Sequence, residues 1–543
     1  MLYGFLWNGY WAPESDGAIY LSVARNLFLD HEYHFNGALP VIIPPLWPIL
    51  LAGLFHLSTS FWFLNLVSTL VMIASAMIWH RILLRLTRPG RAFGIAFLSA
   101  MILDWYRLST LPYTDPLAVL VLGVAVLLAL QMQAAGRGLW RIPLLFLSVC
   151  VAVLLRYAAM LGILLVAGAL VRGERRPRLH VSWLTAALCL LGGMATIVWV
   201  RCAYAWLLLH GGYGAVQAGG GVESAVANQY SLLSAPGVRQ VVALGSWVTV
   251  VLFAPAEMVA RIPVLGLVVP IAGWGLIACF LAALLWQKRE MRWLGLSVAL
   301  YVVLIAFRWP RLNTRYLVPV IPLLLLGIAD GIGLVAGRFR AGTTTGALPR
   351  LAVAFLVAVG IANALLYAMS VRVARAADFY SAFRAESKQI IDIGHYLLNA
   401  DVKDDEVAVT RRFFEQGARR PNHYALRSLV LLTGRRIRAV PARFNDPQST
   451  PEFVSWAETS GVRYLVHRPP VAVERIGGLP MPRVANWFKA RRGEAPAIVY
   501  ALYEIADGQA RRIAPPDVPH WPQSVPALSS RSGSSPTAPD GGS

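Results

Sequence analysis

Residues 142–171 read IPLLFLSVCVAVLLRYAAMLGILLVAGALV, a block of 30 residues whose one charge, Arg156, stands at its middle. A continuous helix of that length would extend about 45 Å, well beyond the roughly 30 Å of bilayer hydrocarbon. It would also carry a guanidinium into the membrane centre, where charge is costly. Both flanks are basic, with Arg137 and Arg141 before the block and Arg172, Arg175, Arg176 and Arg178 after it. Short Arg-rich loops belong on the cytoplasmic side. Both ends of the block therefore share a side. The expected arrangement is two short spans that meet at Arg156 on the outer side.

The rest of the chain follows the same pattern. Further apolar blocks cover residues 61–80, 92–104, 115–133, 182–208, 263–286, 293–308, 316–336 and 351–371. Arg81, Arg85, Arg88 and Arg91 form another basic loop, as do Lys288, Arg289 and Arg292, and Arg338, Arg340 and Arg350. With these placed inside, the loops at 13–57, 104–114, 209–262 and 309–315 face outward, and so does everything after Val371. Residues 240–254 must then lie at the interface or re-enter, because a full span there would break the alternation. The scheme also needs a span before residue 13. Residues 1–12 are shorter than the roughly 20 that a span requires, so a longer first helix is expected, and with it eleven spans.

Composition agrees with a membrane body. The chain of 543 residues is 57% hydrophobic and 14% charged, whereas soluble domains carry about 25% charged residues. Mean hydropathy is +0.57. Residues 1–371 hold only 11 of the 28 carboxylates, which places a domain boundary near Val371. The expected fold class is a polytopic α-helical membrane protein of about 10–11 spans, with a small extracytoplasmic α/β domain over 372–512 and a disordered tail over 513–543. In 372–512, apolar runs at Val407–Val409, 429–432, 462–466 and 498–502 alternate with helical stretches such as 387–399 and 451–460. The basic runs TGRRIR and RRFF there read as solvated faces. The tail is rich in Pro, Ser and Gly. A net charge of +21 suits nucleic acid in principle, but much of it lies in short loops where topology accounts for it, so no nucleic-acid partner is expected. The four cysteines lie in apolar blocks without disulfide or zinc spacing.

Eleven carboxylates in 371 residues make each placement informative. Glu14, Asp16, Asp30, Glu32, Asp104, Asp115, Glu223 and Glu257 fall outside, and Glu174, Glu290 and Asp330 fall inside. Acids do not set topology, so outer-face chemistry competes with chance in longer loops. Asp16 opens a stretch with Ile19, Val23 and Leu27 at helical spacing, which reads as an amphipathic helix lying on the membrane surface. The alternative is that Ser15 or Asp16 merely caps that helix. Asp115 precedes Pro116 at the start of a span, a natural cap and first-turn pair that can still face a site. His31 and His34 with Asp30 and Glu32 offer metal ligands in what reads as a solvated loop, and Asp16 with Asp115 could hold a hard divalent cation. Arg156, Arg201, Arg308, Arg311 and Arg315 lie at outer span ends, where each can snorkel or join a phosphate clamp.

Four segments, taken in order, carry a resemblance: DGAIYLSVARNL at 16–27, PPLWPILLAG at 44–53, TDPLAVLVL at 114–122 and RYLVPVIPLLLL at 315–326. Over roughly residues 10–340 the chain resembles the membrane glycosyltransferases of the C superfold, the bacterial protein-mannosyltransferase-like and aminoarabinose-transferase-like enzymes. The resemblance implies a polyprenyl-phosphate-linked sugar donor, a lipid, glycan or protein acceptor, and action at the outer face of the cytoplasmic membrane. The family's first-loop acid falls on Asp16 and its second-loop acid on Asp115, the two catalytic candidates. Where the family often has a second acid after the first, this chain has Gly17, and Glu14 is the neighbouring carboxylate. The basic residue at the apex of two short spans falls on Arg156, and the arginine before a late span on Arg315. With Glu14 and Tyr20 they are the substrate-binding candidates. In the implied inverting mechanism Asp16 is the general base, and Asp115 orients the acceptor or helps hold a divalent cation. A membrane transporter, a polymerase or ligase of lipid-linked glycans, and a non-catalytic scaffold are the alternatives.

Overall fold

The computed structural model describes residues 15–40, 43–102, 105, 108–109, 112–135, 140–171, 179–210, 214–215, 244–245, 248–249, 252, 268–286, 289–308, 314–339, 361, 385–409, 411–413, 419–421, 423–441, 451–467, 500–507, 509–515 and 524–525. After α1 (Ser15–Asp30), the short strand β1 (Ala38–Leu39) and α2 (Leu46–Phe55), the apolar blocks form helices. These are α3 (Phe61–Leu86), α4 (Pro89–Ala100), α5 (Asp115–Ala135), α6 (Arg141–Leu155), α7 (Ile163–Val171), α8 (Leu179–His210), α9 (Val268–Trp286), α10 (Arg289–Arg308) and α11 (Ile321–Phe339). Strand β2 (Gly214–Ala215) pairs in parallel with β1. Among the described residues, five helical segments are long and apolar enough to cross a membrane: Phe61–Leu86, Asp115–Met132, Ser182–Leu207, Val268–Leu285 and Val318–Val335. Shorter apolar helices cover Leu46–Phe55, Arg141–Leu155, Tyr157–Val171 and Arg292–Ile305. The expected span at 351–371, apart from Ile361, and the first span before residue 13 lie outside the described residues.

The block with Arg156 at its middle is broken there. Helix α6 ends at Leu155, and Arg156 has extended backbone (φ −156°, ψ 118°). A 3-10 turn over Tyr157–Gly162 then leads into α7. The two arms turn back to pack against the same two neighbours, α5 and α8. A Cβ on Gly192 of α8 would meet Phe146, and one on the adjacent Gly193 would meet Val149 and Val153 of α6 together with Ile163 of α7. Residues on either side of Arg156 thus lie against the same level of α8. The Thr114 hydroxyl donates to the Leu155 carbonyl at 2.6 Å, which satisfies a group that the break leaves without a helical partner.

Helix α1 does not lie on a lipid surface with one face in water. Ala18, Leu21, Ser22, Val23, Ala24 and Arg25 are all at most 2% exposed, so the helix is enclosed on nearly every side. It packs between α2 and a helix of the C-terminal domain, α13 (His423–Thr433).

That domain begins in the described residues with α12 (Ala385–Asn399) and is built on a five-stranded mixed sheet. In chain order the strands are β3 (Val407–Val409), β6 (Ile437–Ala439), β7 (Tyr464–His467), β8 (Ala501–Ala506) and β9 (Gln509–Ile513), and their spatial order is β6-β3-β7-β8-β9. β3 pairs in parallel with β6 and β7, and the β7–β8–β9 pairs are antiparallel. β4 (Arg411–Phe413) and β5 (Arg419–Pro421) form a separate antiparallel pair, and α14 (Pro451–Thr459) packs on β8. The apolar run at 429–432 is helical, inside α13. Leu429, Val430, Leu431 and Leu432 are buried, at most 5% exposed, because the helix lies between the membrane body and its own sheet. In the tail, Ser524 bridges Ser60 and Val525 is buried, with its N–H on the Thr59 carbonyl at 3.0 Å.

Candidate active site

Asp16 lies in the first turn of α1, where a carboxylate complements the helix dipole. Its two oxygens meet two arginines from distant parts of the chain. Arg315 Nη2 donates to Oδ2 at 2.6 Å, and Arg427 Nη1 reaches Oδ1 at 3.4 Å. Arg315 stands on a 3-10 turn, Thr314–Tyr316, just before a second one, Val318–Val320, that contains Pro319. The turn is braced from α10 by the Tyr301 hydroxyl, which donates to the Tyr316 carbonyl at 2.8 Å. Burial pushes the Asp16 carboxyl upward, but Arg315, then Arg427, with a smaller effect from Arg156, hold it below its ordinary 3.8. Asp16 is therefore ionised at neutral pH. Tyr20, one helical turn further on, is buried, and burial together with the Asp16 charge keeps its hydroxyl protonated.

Asp115 opens α5, and its Oδ1 meets Arg156 Nη1. Both side chains are enclosed, 5% and 14% exposed. The carboxylate that the sequence offered as a helix cap is thus the counter-ion of the apex arginine. The segment before it is held by Trp47 of α2, whose indole N–H donates to the Pro112 carbonyl at 3.0 Å. Aromatic rings link the two ion pairs. Arg156 lies 4.6 Å from the Tyr316 ring centroid and Arg315 lies 5.3 Å from the same ring, with Tyr113 5.8 Å from Arg315. Asp115, Arg156, Arg315, Tyr301 and Tyr316 line a small cavity of about 20 Å³, together with Val119 and Leu122 of α5, room for about one water molecule.

Asp16, Tyr20, Asp115, Arg156 and Arg315 are therefore gathered at one end of the helices. Other candidates stand apart. Glu14, Asp104 and Arg311 lie outside the described residues, as does the side chain of Arg308. Arg201 packs over the Tyr157 ring at 5.3 Å. His31 is exposed in a left-handed backbone conformation (φ 58°). His34 contacts Glu32 at 3.3 Å and Asn26 at 3.3 Å. Among the described residues no group of three or more His, Cys, Asp or Glu gathers as a metal site, and both site carboxylates face guanidinium groups.

Arg427 is the member that sequence reasoning missed. It belongs to α13, and the C-terminal domain is docked so that it reaches the membrane body's site. Arg25 of α1 donates to the Leu431 carbonyl at 2.9 Å. Asn36 bonds both backbone groups of Ile437, accepting from its N–H at 2.7 Å and donating to its carbonyl at 2.9 Å. Asn36 and Gly37 both have positive φ, 54° and 73°, a turn that Asn and Gly tolerate best. The one sequence signal for Arg427 was a charge interrupting the apolar run of α13.

No family model matches this chain, and no curated protein matches it by sequence. Among solved structures it is similar to ArnT from Cupriavidus metallidurans bound to undecaprenyl phosphate, with 14% identity and a TM-score of 0.48 over 96% of this chain and 97% of that one. For the same protein in the apo state the values are 14% and 0.46, over 86% and 91%. For the Archaeoglobus fulgidus oligosaccharyltransferase in complex with zinc and sulfate they are 11% and 0.49, over 85% and 65%.

Proposed function

We propose that this chain is an inverting membrane glycosyltransferase, which moves a sugar from a polyprenyl-phosphate carrier to an acceptor at the outer face of the cytoplasmic membrane. The observation that carries the reading is the site's composition: an ionised carboxylate, Asp16, set directly against two arginines from separate elements, Arg315 and Arg427, with Arg156 close by at the same end of the helices. This is a base beside an anion clamp. The reaction needs both, because a nucleophile loses a proton as a phosphate leaves with the bond electrons. Three of the four segments that resemble the C superfold carry Asp16, Asp115 and Arg315.

In the proposed step the acceptor's hydroxyl or amine attacks the anomeric carbon and forms the new glycosidic bond. The bond from that carbon to the phosphate oxygen breaks, and its electron pair leaves with the polyprenyl phosphate. The acceptor's proton passes to Asp16. Arg156 and Arg315 stabilise the negative charge that develops on the phosphate. Asp115 fixes Arg156, and Tyr20 offers a hydroxyl donor. Direct displacement inverts the anomeric centre. Base catalysis contributes about 10²- to 10⁴-fold in such reactions. Asp16→Asn is therefore expected to lower transfer from a radiolabelled polyprenyl-phosphate sugar by at least about 100-fold in a protein that still folds. A folded Asp16→Asn protein that transfers at the full rate, or a wild-type protein that consumes none of a panel of such donors, would falsify the reading.

A further inference from the structure

The third guanidinium of the site comes from the C-terminal domain, and its placement bears on how the base works. The domain's dock uses other groups: Arg25 on the Leu431 carbonyl and Asn36 on the Ile437 backbone. Arg427 is not one of those docking contacts. It stands in a helix whose neighbouring Ser428, Leu429, Val430 and Leu431 are all at most 2% exposed, and it carries a charge into an enclosed place. Its reach to Asp16, 3.4 Å, is longer than that of Arg315, 2.6 Å.

A third arginine balances the charge of the loaded site. Arg156, Arg315 and Arg427 carry three positive charges, and Asp16 and Asp115 carry two negative ones, an excess of one. A sugar phosphodiester donor brings one negative charge and makes the set neutral. After transfer the proton sits on Asp16 and the released phosphate monoester carries two negative charges, so the set is neutral again. Without Arg427 the site is one positive charge short at both stages.

We propose that Arg427 binds the donor's phosphate, and that the phosphate and the Asp16 carboxylate compete for Arg427 and Arg315, so that donor binding itself releases the base. This rests on the transferase reading above. In the resting site Asp16 is paired and weakly basic. As the arginines turn to the phosphate, the carboxylate recovers its affinity for the acceptor's proton. The groups that face Asp16 are Tyr20 on its own helix, Arg315 before α11, Arg427 on α13 and Arg156 at the apex, while Tyr316 acts on Tyr20. Tyr113 reaches it only through Arg315. Arg427 and Arg315 are the two in direct contact with the carboxylate.

The test is the affinity of the purified full chain for undecaprenyl phosphate, in wild type and in variants of Arg427 and Asp16. Arg427→Gln is expected to weaken binding about tenfold or more, the worth of one charge-assisted hydrogen bond, and Arg427→Lys to recover most of it. Asp16→Asn is expected to bind more tightly than wild type, because the arginines are no longer shared. A merely structural Arg427 leaves the gain in Asp16→Asn to Arg315, and predicts that adding Arg427→Gln to Asp16→Asn removes none of that gain. If Arg427→Gln does not fold, Arg427→Met, which keeps the apolar stem without the charge, takes its place, and undiminished binding in it removes Arg427 from the competition. Tighter binding in Asp16→Asn with no loss in Arg427→Gln assigns the competition to Arg315 and removes Arg427 from it. Wild-type binding with all variants unchanged overturns the proposal and leaves the transferase reading standing. A wild-type chain that binds no undecaprenyl phosphate overturns the reading beneath both.

Discussion

Asp115 and Arg156 are an enclosed ion pair, and such pairs are asymmetric in what their loss costs. Removing one partner leaves the other charged, buried and unpaired, at about 3–5 kcal/mol, whereas replacing both with apolar residues of similar volume is often neutral. Asp115→Ala is therefore expected to lower thermal stability sharply, and Asp115→Leu combined with Arg156→Met to regain most of it. Transfer activity should be lost in both. Unfolding of the detergent-solubilised protein separates these outcomes, and a double variant no more stable than the single would show that the pair holds the apex directly. Asp16 gives a pH dependence of definite sign. Its pKa in the folded chain lies below the ordinary 3.8, so its contribution to stability is complete above that value and is lost as pH falls through the folded pKa. Protection of the α13 amides, taken relative to the intrinsic exchange rate at each pH, should be constant from pH 7 to about 5 and fall once the pH drops below the carboxylate's unfolded value. Asp16, Asp115, Arg156 and Arg315 were legible in the sequence because charges are scarce in an apolar body and each one stands out. Arg427 was not, since residues 372–543 hold 24 of the 49 basic residues and one more arginine there carries no contrast.

Helices show the same division between what patterning reveals and what packing decides. Length and charge alone required a break at Arg156, and the structure has it. Apolar pattern could not tell a buried strand from a buried helix at 429–432, since burial on two sides erases the polar face that would give the period. For the same reason α1 read as a surface helix: its polar members, Ser22, Arg25 and Asn26, look solvent-bound until the C-terminal domain covers them. Close helix approach leaves a clearer trace. Gly327 and Gly331 lie four residues apart on α11, where a Cβ would meet Phe280 and the backbone carbonyl of Cys279 on α9. Small residues at that spacing let membrane helices approach backbone to backbone. Gly331→Leu is expected to push α9 from α11 and destabilise by about 1–3 kcal/mol. Gly275→Ala, on α9 with open space around its Cβ position, should be neutral or stabilising by up to about 1 kcal/mol. Equal thermal stability for the two variants would refute close α9–α11 packing.

At the scale of the whole molecule, the site residues share an end. Asp115 opens α5, Arg156 sits at the turn between α6 and α7, Arg315 precedes α11, and Asp16 and Arg427 meet beside them. Arg85, Arg88 and Arg91 lie at the far end of α3 and the start of α4, with Arg91 paired to Asp330 near the other end of α11. On the positive-inside rule the site and the C-terminal domain are expected on the outside. Single cysteines test this in a background where the four native ones are serine. Leu57→Cys, 74% exposed between α2 and α3 at the site end, and Ser455→Cys, exposed on α14, should react with an impermeant maleimide on intact spheroplasts. Gly90→Cys, with open space around its Cβ position at the start of α4, should react only after the membrane is opened. The inverse pattern would turn the site toward the cytoplasm, where nucleotide-activated sugars are available. The need for a lipid-linked donor would then disappear, because that need follows from transferring a sugar on the side that soluble activated sugars do not reach.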